Sequence, residues 1–371
     1  MRYLPLVLLI AVSALGQSGP RVQISHTTES LRGVSAVSRQ IAWASGTHGT
    51  YLRTTDSGLT WAPAQVPDAG TLDFRAVVAF SADEAFLMSA GPGEQSRIYH
   101  TSDGGRHWQL QFTNTNPKGF FDSMVFWDSK HGVVLGDPIP DESGTLKFEV
   151  LLTDDGENWR AVPPSQLPDA LEGEGAFAAS NSCIAIAPGA SEQNIWFATG
   201  GKGARVFHSA DRGQSWQVFH TPMMHGPDSA GIFSIAFRDP THGVIAGGDY
   251  KRPKADGPNL AFTEDGGKTW TLPALHPLAY FSAVAYDRNV NELAMRAGMA
   301  GGNEKKIRVK PIPAERIFIV GEDFVFDLRP PNNPRRIGGK KKLGIRFNAV
   351  SGFPEGGALV VGPKGAIAFI P

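Results

Sequence analysis

One eight-residue stretch, TSDGGRHW at Thr101–Trp108, has the pattern Ser/Thr-x-Asp-x-Gly-x-x-Trp. The pattern returns with the same spacing at Thr54–Trp61, Ser209–Trp216 and Thr263–Trp270, and one residue shorter at Thr153–Trp159. Five of the eight tryptophans close a copy of it. The copies follow one another at intervals of roughly 50 residues, a spacing typical of repeat architectures. The chain is therefore an array of similar units.

Each copy has the composition of a tight turn. A short Asp carboxylate accepts hydrogen bonds from nearby backbone N–H groups, glycine allows a positive φ, and the tryptophan buries a large ring. Five catalytic acids are the first alternative, but each acid is alone in its copy and equal spacing would scatter them around a ring. Calcium loops are the second, but they need several alternating oxygen ligands. We therefore predict structural turns at Asp56, Trp61, Asp103, Trp108, Asp155, Trp159, Asp211, Trp216, Asp265 and Trp270.

Two short apolar runs per unit extend the repeat beyond this motif. The first run recurs at 32–34, 75–77, 122–124, 175–177, 233–235, 281–283 and 347–349. The second holds Trp43, Phe86, Val133, Trp196, Val244, Phe318 and Leu359. Seven units of four short strands predict an all-β, seven-bladed β-propeller. The last unit supplies only three strands, so we predict that the strand-like segment 21–28 closes the ring and removes a sheet edge.

The composition agrees with this fold and excludes several functions. In 371 residues, 41 % are hydrophobic and 19 % charged, while 43 glycines and 27 prolines indicate many turns. A net charge of −1 argues against a dedicated nucleic-acid binder. The single cysteine, Cys183, rules out an internal disulfide and a multi-cysteine zinc site, and its apolar neighbours predict a buried strand position.

The first 16 residues are typical of an export signal. Arg2 precedes an apolar run from Leu4 to Leu15, and cleavage is plausible after Gly16. An uncleaved N-terminal anchor is the alternative. We expect a periplasmic or extracellular protein whose residues 17–371 form one propeller. The sixth unit, about 280–343, is degenerate and has basic stretches at 304–310 and 329–342. The alternatives for these stretches are a solvated loop, a basic patch for an acidic partner, and a sequencing frameshift across the unit.

These motifs, with the run from Trp43 to Asp56, resemble the Asp-box (BNR) propellers of the photosystem II stability/assembly factor type. The resemblance covers most of residues 22–371. It implies an exported, non-enzymatic propeller that binds a protein or peptide and assists assembly. Asp boxes also occur in sialidases and xyloglucanases, so a glycoside hydrolase is the alternative. The Arg-Ile-Pro segment typical of sialidases is missing, and the xyloglucanase type usually has two propellers.

The candidate site lies on the face opposite the Asp boxes, here called the funnel face, where loops carry function. Long turns at 136–144 and 247–253 follow the second strands on this face. Charges at the start of the innermost strands are expected near the channel mouth, either contacting a ligand or paired across blades around a water-filled channel. We expect a monomer with a protein or peptide partner and without nucleic acid, cofactor or metal. The binding candidates are Arg32, Arg75, Asp122, Asp137, Glu142, Glu174, Asp249, Tyr250, Lys251 and Arg252, with Arg346 at the last innermost strand.

Overall fold

Each of the seven units forms one antiparallel sheet. The computed structural model describes residues 19–188, 193–274, 279–287, 316–321, 324–329, 333–339 and 345–371. In these residues the seven sheets form a ring. The chain runs through the blades from the innermost strand outward, and the N-terminal strand supplies the outermost strand of the seventh blade. The predicted all-β, seven-bladed propeller is confirmed. No helix in these ranges is long and apolar enough to cross a membrane.

Short strands build every blade. The first blade comprises β2 (Leu31–Ala36), β3 (Ala42–Gly46), β4 (Thr50–Thr54) and β5 (Ala62–Gln65). The second comprises β6 (Asp73–Ala79), β7 (Ala85–Ala90), β8 (Arg97–Thr101) and β9 (Gln109–Thr113). The third comprises β10 (Phe121–Phe126), β11 (Gly132–Pro140), β12 (Leu146–Thr153) and β13 (Arg160–Ala161). The fourth comprises β15 (Ile184–Ile186), β16 (Ile195–Ala198), β18 (Arg205–Ser209) and β19 (Gln217–His220).

The remaining blades vary more. The fifth comprises β20 (Ala230–Phe237), β21 (Gly243–Asp249) and β22 (Leu260–Thr263), and its sheet is extended by β14 (Glu174–Gly175) and β17 (Gly200–Gly201). A single bridge between Phe262 and Thr271 stands in place of its fourth strand. The sixth comprises β23 (Phe281–Tyr286), β24 (Ile317–Gly321), β25 (Phe324–Arg329) and β26 (Asn333–Gly339), and the seventh β27 (Ala349–Gly352), β28 (Ala358–Gly362), β29 (Ala366–Ile370) and β1 (Arg21–Gln23).

The N-terminal strand closes the ring, as predicted. Strand β1 pairs antiparallel with β29, and Val22 lies opposite Ala368. The Gln23 side chain then ties this strand to the first blade: its Oε1 accepts a hydrogen bond from Trp61 Nε1 at 3.0 Å, and its Nε2 donates to the Ser57 carbonyl at 3.1 Å. Only residues 21–23 of the expected segment 21–28 are in the strand.

The Asp-box residues have the hydrogen bonds of a closed turn. In the copy at 101–108, Gly105 N donates to Thr101 Oγ1 at 3.0 Å, Thr101 Oγ1 donates to Asp103 Oδ1 at 3.0 Å, and His107 N donates to the same oxygen at 3.0 Å. Gly105 has a φ of +85°, which favours glycine. The bonds from His107 lower the pKa of Asp103 to about 2. All five copies repeat the bond from the first Ser/Thr hydroxyl to the carboxylate.

The tryptophans of these turns pack between neighbouring blades. Trp61 joins the core shared by blades seven and one, and it is 3 % exposed. Trp108 contacts Trp43 and Tyr51 edge-on, at ring-centroid distances of 6.2 and 5.1 Å. Trp108 is only partly buried, and its indole nitrogen has no hydrogen-bond partner among the described residues. In the five blades that carry it, the motif therefore closes a turn and also fastens the blade to the one before it.

Two blades differ from the sequence-based expectation. The innermost strand of the fourth blade is β15, so the prediction that 175–177 form its start is wrong. In the sixth blade, residues 333–339 form the outer strand β26 where we expected a loop. β-Branched and aromatic residues in β25 supply the partner strand, and this pairing outweighs the polar composition of the second segment. The stretch 304–310 lies outside the described residues.

Candidate functional site at the channel mouth

Five innermost strands carry a β-bulge at the same place, on the funnel-face end. In β2, Leu31 pairs with Gly46 and Gly33 pairs with Ser45, which leaves Arg32 as the extra residue. Such a residue lies outside the regular hydrogen-bond pairing of the two strands, and the bulge changes the direction of its side chain. The five extra residues, here called the bulge ring, are Arg32, Arg75, Asp122, Phe233 and Ser282.

A chain segment from the fourth blade crosses the channel beside this ring. Residues 176–183, here called the channel plug, precede the short strand β15. The carbonyl of Ala178 accepts a hydrogen bond from Arg75 Nη1 of the second blade at 2.7 Å, and Ser180 Oγ donates to the Ser282 carbonyl of the sixth blade at 2.8 Å. Neither blade adjoins the fourth, so the plug spans the central opening and gives the channel mouth a floor.

The plug is also bonded to the blades on either side. Asn181 Oδ1 accepts a hydrogen bond from the backbone N–H of Met124 at 2.7 Å. The Ser182 carbonyl accepts one from Ile235 N at 2.8 Å. Asn181 has a φ of +58°, a left-handed conformation that asparagine tolerates better than most residues. The plug is therefore fixed by hydrogen bonds to four blades.

Two carboxyls lie against the plug inside the protein. Asp137 Oδ1 accepts a hydrogen bond from Ala176 N at 3.0 Å, and burial raises the pKa of Asp137 to about 6. Asp122 is 1 % exposed, and burial, reinforced by the charge of Asp137, raises its pKa well above the ordinary value. Cys183 is buried close by, and burial with the charge of Asp122 raises the pKa of its thiol to about 12. The thiol therefore stays protonated, as its predicted buried position implies.

The two arginines of the bulge ring have different surroundings. Arg75 Nε bonds Asp73 Oδ2 at 2.7 Å, and its Nη1 bonds the plug. Arg32 has no acceptor within hydrogen-bond distance among the described residues, and its Nε is buried. Burial, followed by repulsion from Arg75, lowers the pKa of Arg32. The charge of Asp73 acts in the opposite direction.

Aromatic side chains complete the mouth. The Phe177 ring of the plug stacks on Phe233 of the bulge ring, with centroids 3.8 Å apart and planes 8° from parallel. Tyr280 and Tyr250 meet Phe233 edge-on, at 4.8 and 6.1 Å. Phe177 and Tyr280 are partly exposed, and Tyr250 is 48 % exposed. A partly exposed aromatic cluster beside cations suits contacts with a peptide.

The turn after β21 presents its cations outward and its acid inward. Asp249 is buried and accepts hydrogen bonds from Lys251 N at 3.0 Å and Arg252 Nε at 2.8 Å. Asp249 therefore holds the turn, while the Lys251 side chain is exposed and that of Arg252 is 65 % exposed. Tyr250, Lys251 and Arg252, which the sequence predicts on the funnel face, lie on this turn after the second strand of the blade.

Other sequence candidates lie apart from the mouth or face inward. Glu174 lies in β14 and is buried in an ion pair with Arg205, whose Nε is 2.8 Å from Glu174 Oε1. Glu174 therefore does not begin an innermost strand. The residues 136–144, expected as a turn, are largely β11, which runs to Pro140, so that Asp137 faces inward and Glu142 is exposed at the hairpin tip. Arg346 is exposed beside the seventh blade.

Sequence reasoning missed the plug and the aromatic cluster. Phe177, Tyr280 and Asp73 were not among its candidates. A signal was present: the fourth unit has two apolar runs before Trp196, at 176–179 and 183–187, and only one can be the innermost strand. No group of three or more metal-ligating side chains lies together in the described ranges.

Comparison with known proteins identifies the fold alone. No model of a known protein family matches the chain, and no curated protein does either. The solved structures of YCF48 bound to D1 peptide and of YCF48 from Cyanidioschyzon merolae are similar, with TM-scores of 0.62 and 0.59. Their identities are 16 % and 17 %, over 96 % and 95 % of this chain and 98 % of each of theirs. The WD40 propeller of Doa1 also matches, with a TM-score of 0.57, 12 % identity and coverage of 94 % of this chain and 96 % of its own.

Proposed function

We propose that this protein is an exported, non-enzymatic propeller that binds a peptide segment of a partner protein at the channel mouth on its funnel face. The observation that carries the proposal is the arrangement of Phe177, Tyr250 and Tyr280 beside Arg32 and Arg75. The plug supplies a floor and the bulge ring supplies side chains, so a peptide laid across the mouth would meet both apolar and charged groups. Partly exposed aromatic residues and arginines are typical of interface hot spots.

An assembly or stability role would follow from such binding. YCF48, whose fold this chain shares, has a solved structure in complex with a D1 peptide. The fold is therefore compatible with peptide recognition, and the channel mouth offers this chain a surface for it. We propose a monomer that holds a segment of its partner, as the sequence resemblance implies.

Binding is favoured over glycoside hydrolysis by the positions of the carboxyls. A glycosidase places two carboxyl groups on either side of a sugar bond, one of them with a raised pKa. In this chain burial raises the pKa values of Asp122, Asp137 and Glu149, and Glu149 Oε2 accepts a hydrogen bond from Asn114 Nδ2 at 2.7 Å. Asp122 is enclosed against the plug, and Asp137 Oδ1 is bonded to the plug backbone, so neither arrangement suits an acid that must reach a sugar.

The test is selection from a random-peptide display library on the immobilised protein, followed by affinity measurement on three variants. We expect Tyr250→Ala and the pair Lys251→Glu with Arg252→Glu to weaken binding of the selected peptides at least tenfold. The pair Arg335→Glu with Arg336→Glu in β26 should leave binding unchanged. Circular dichroism and thermal melting establish that each variant is folded. Loss of binding with the β26 pair alone would place the site on the sixth blade and defeat the proposal.

A further inference from the structure

We infer that Arg32 is a carboxylate subsite within the proposed peptide-binding surface. The inference rests on the proposed function for the identity of the ligand as a peptide. Its structural basis is separate: a guanidinium at the funnel end of the innermost strand of the first blade, without an acceptor among the described residues. The group recognised is a single carboxylate, from either the peptide C-terminus or an Asp or Glu side chain.

The bulge explains why Arg32 is available. In-register residues of β2 pair with β3 or pack between blades, as Leu31 does in the core shared with the seventh blade. Arg32 is left out of the pairing. It is partly exposed, although its Nε is buried and has no bond to a described residue. A partly desolvated cation without an acceptor is unfavourable, and a carboxylate relieves this through two parallel N–H···O bonds.

The local charge favours a monoanion. Arg32 and Arg75 contribute two positive charges, and Asp73, which bonds Arg75, contributes one negative charge. Asp122 also lies near Arg75, but burial raises its pKa well above the ordinary value and so favours its neutral form. Arg32, Arg75 and Asp73 together then carry one positive charge, which matches one carboxylate. A phosphate dianion would carry more negative charge than the site offsets.

The neighbouring groups define which carboxylates fit. Phe233 belongs to the same bulge ring as Arg32, stacks on Phe177 and is contacted edge-on by Tyr280. The cation and the aromatic cluster therefore border the same opening. A carboxylate that reaches Arg32 would bring an adjacent apolar or aromatic side chain over these rings. The recognised class is a peptide carboxylate next to an apolar residue.

The first experiment uses acetate as the probe and does not depend on the peptide. The arginine Nε–H signals of the ¹⁵N-labelled protein are followed by NMR during titration with sodium acetate, with sodium chloride at equal ionic strength as reference. The Arg32 signal is assigned by its absence in Arg32→Gln. We expect a saturable shift of the Arg32 signal and none for Arg160, a half-exposed arginine beside an Asp box. No saturable shift, or equal shifts of both signals, would overturn the inference.

The second experiment identifies the source of the carboxylate. Peptides selected as above are compared as free acids, as C-terminal amides, and with Asp or Glu replaced by Asn or Gln, on the wild type, Arg32→Gln and the control Arg160→Gln. We expect either C-terminal amidation or replacement of the acidic side chain to weaken binding to the wild type and to Arg160→Gln about tenfold, a difference of ~1.4 kcal/mol. The same change in the peptide should not weaken its binding to Arg32→Gln. Equal losses on all three proteins would refute the assignment.

The two experiments separate the inference from the proposed function. Funnel-face peptides that bind without carboxylate dependence, together with no acetate shift, defeat the subsite and leave peptide binding standing. A saturable acetate shift at Arg32 with no funnel-dependent peptide in the library supports the anion site and refutes peptide binding.

Discussion

Replacing Asp137, which is buried against the plug, by asparagine should remove a loss of stability that the wild type shows as pH rises. The pKa of Asp137 is about 6 in the folded chain, against an ordinary value of 3.8. A raised pKa means that the folded state favours the protonated acid. The protonated carboxyl therefore adds to the free energy of unfolding in full below about pH 4, and this stabilisation is lost as pH rises through about 6. At ~1.36 kcal/mol per pKa unit, the loss is about 3 kcal/mol.

The asparagine of the Asp137→Asn variant does not titrate, and its side-chain oxygen can still accept the hydrogen bond from Ala176 N. The unfolding free energies of the variant and the wild type should therefore be most similar near pH 4. By pH ~7 the variant should be the more stable protein by up to about 3 kcal/mol. The assay is urea unfolding at a series of pH values, and the quantity is the difference in unfolding free energy between the two proteins. Glu142→Gln, at the exposed tip of the same hairpin, is the matched control and should show no such trend. A pH-independent difference, or a variant that loses stability as pH rises, would refute the burial argument.

Four further predictions concern an Asp-box turn, the packing between blades, the closure of the ring and Arg32. Asp103→Asn should destabilise the protein at neutral pH and the loss should shrink as pH falls from about 4 towards about 2, because the pKa of Asp103 is lowered to about 2; urea unfolding across that range measures it. Trp61→Ala should cost about 3–5 kcal/mol in the same assay, and a loss below about 1 kcal/mol would contradict the packing of this ring between two blades. Deletion of residues 21–23 should cost about 1–3 kcal/mol with the loss of the β1–β29 ladder, and unchanged melting would show that the ring closes without it. Arg32→Gln should melt at the same temperature as the wild type or higher, since it removes a partly desolvated cation; a clear decrease would reveal a structural role.

The repeated turns and the blade count were predictable because they depend on local chemistry. A Ser/Thr hydroxyl, a carboxylate and a glycine at fixed spacing close the same turn wherever they occur, as the bonds of Thr101 and Asp103 show. The strand β1 was also predictable, because the last unit was one strand short. These features need no knowledge of what lies across the ring.

The channel plug was not predictable from local pattern. Residues 175–177 and 183–187 both have the composition of a buried strand, and the choice between them depends on partners in the second and sixth blades. Glu174 illustrates the same limit. Its place beside an apolar run suggests a charge at the channel, but in the structure it forms a buried ion pair with Arg205, which is distant in sequence. Such pairings are set by the assembled ring.

The bulge ring shows how a repetitive fold presents chemistry that does not repeat. In an ordinary innermost strand, in-register residues pair with the second strand or pack between blades, so apolar residues are required at most positions. The extra residue of a bulge is free of the strand pairing, and each blade can place a different side chain there. In this chain the five positions hold two cations, an acid, an aromatic ring and a hydroxyl around one opening. Phe233, Asp122 and Ser282 are buried there, whereas Arg32 and Arg75 are partly exposed. Because strand pairing does not dictate the identity of these two arginines, they can serve ligand recognition, and this is the physical reason for placing the binding site at the channel mouth.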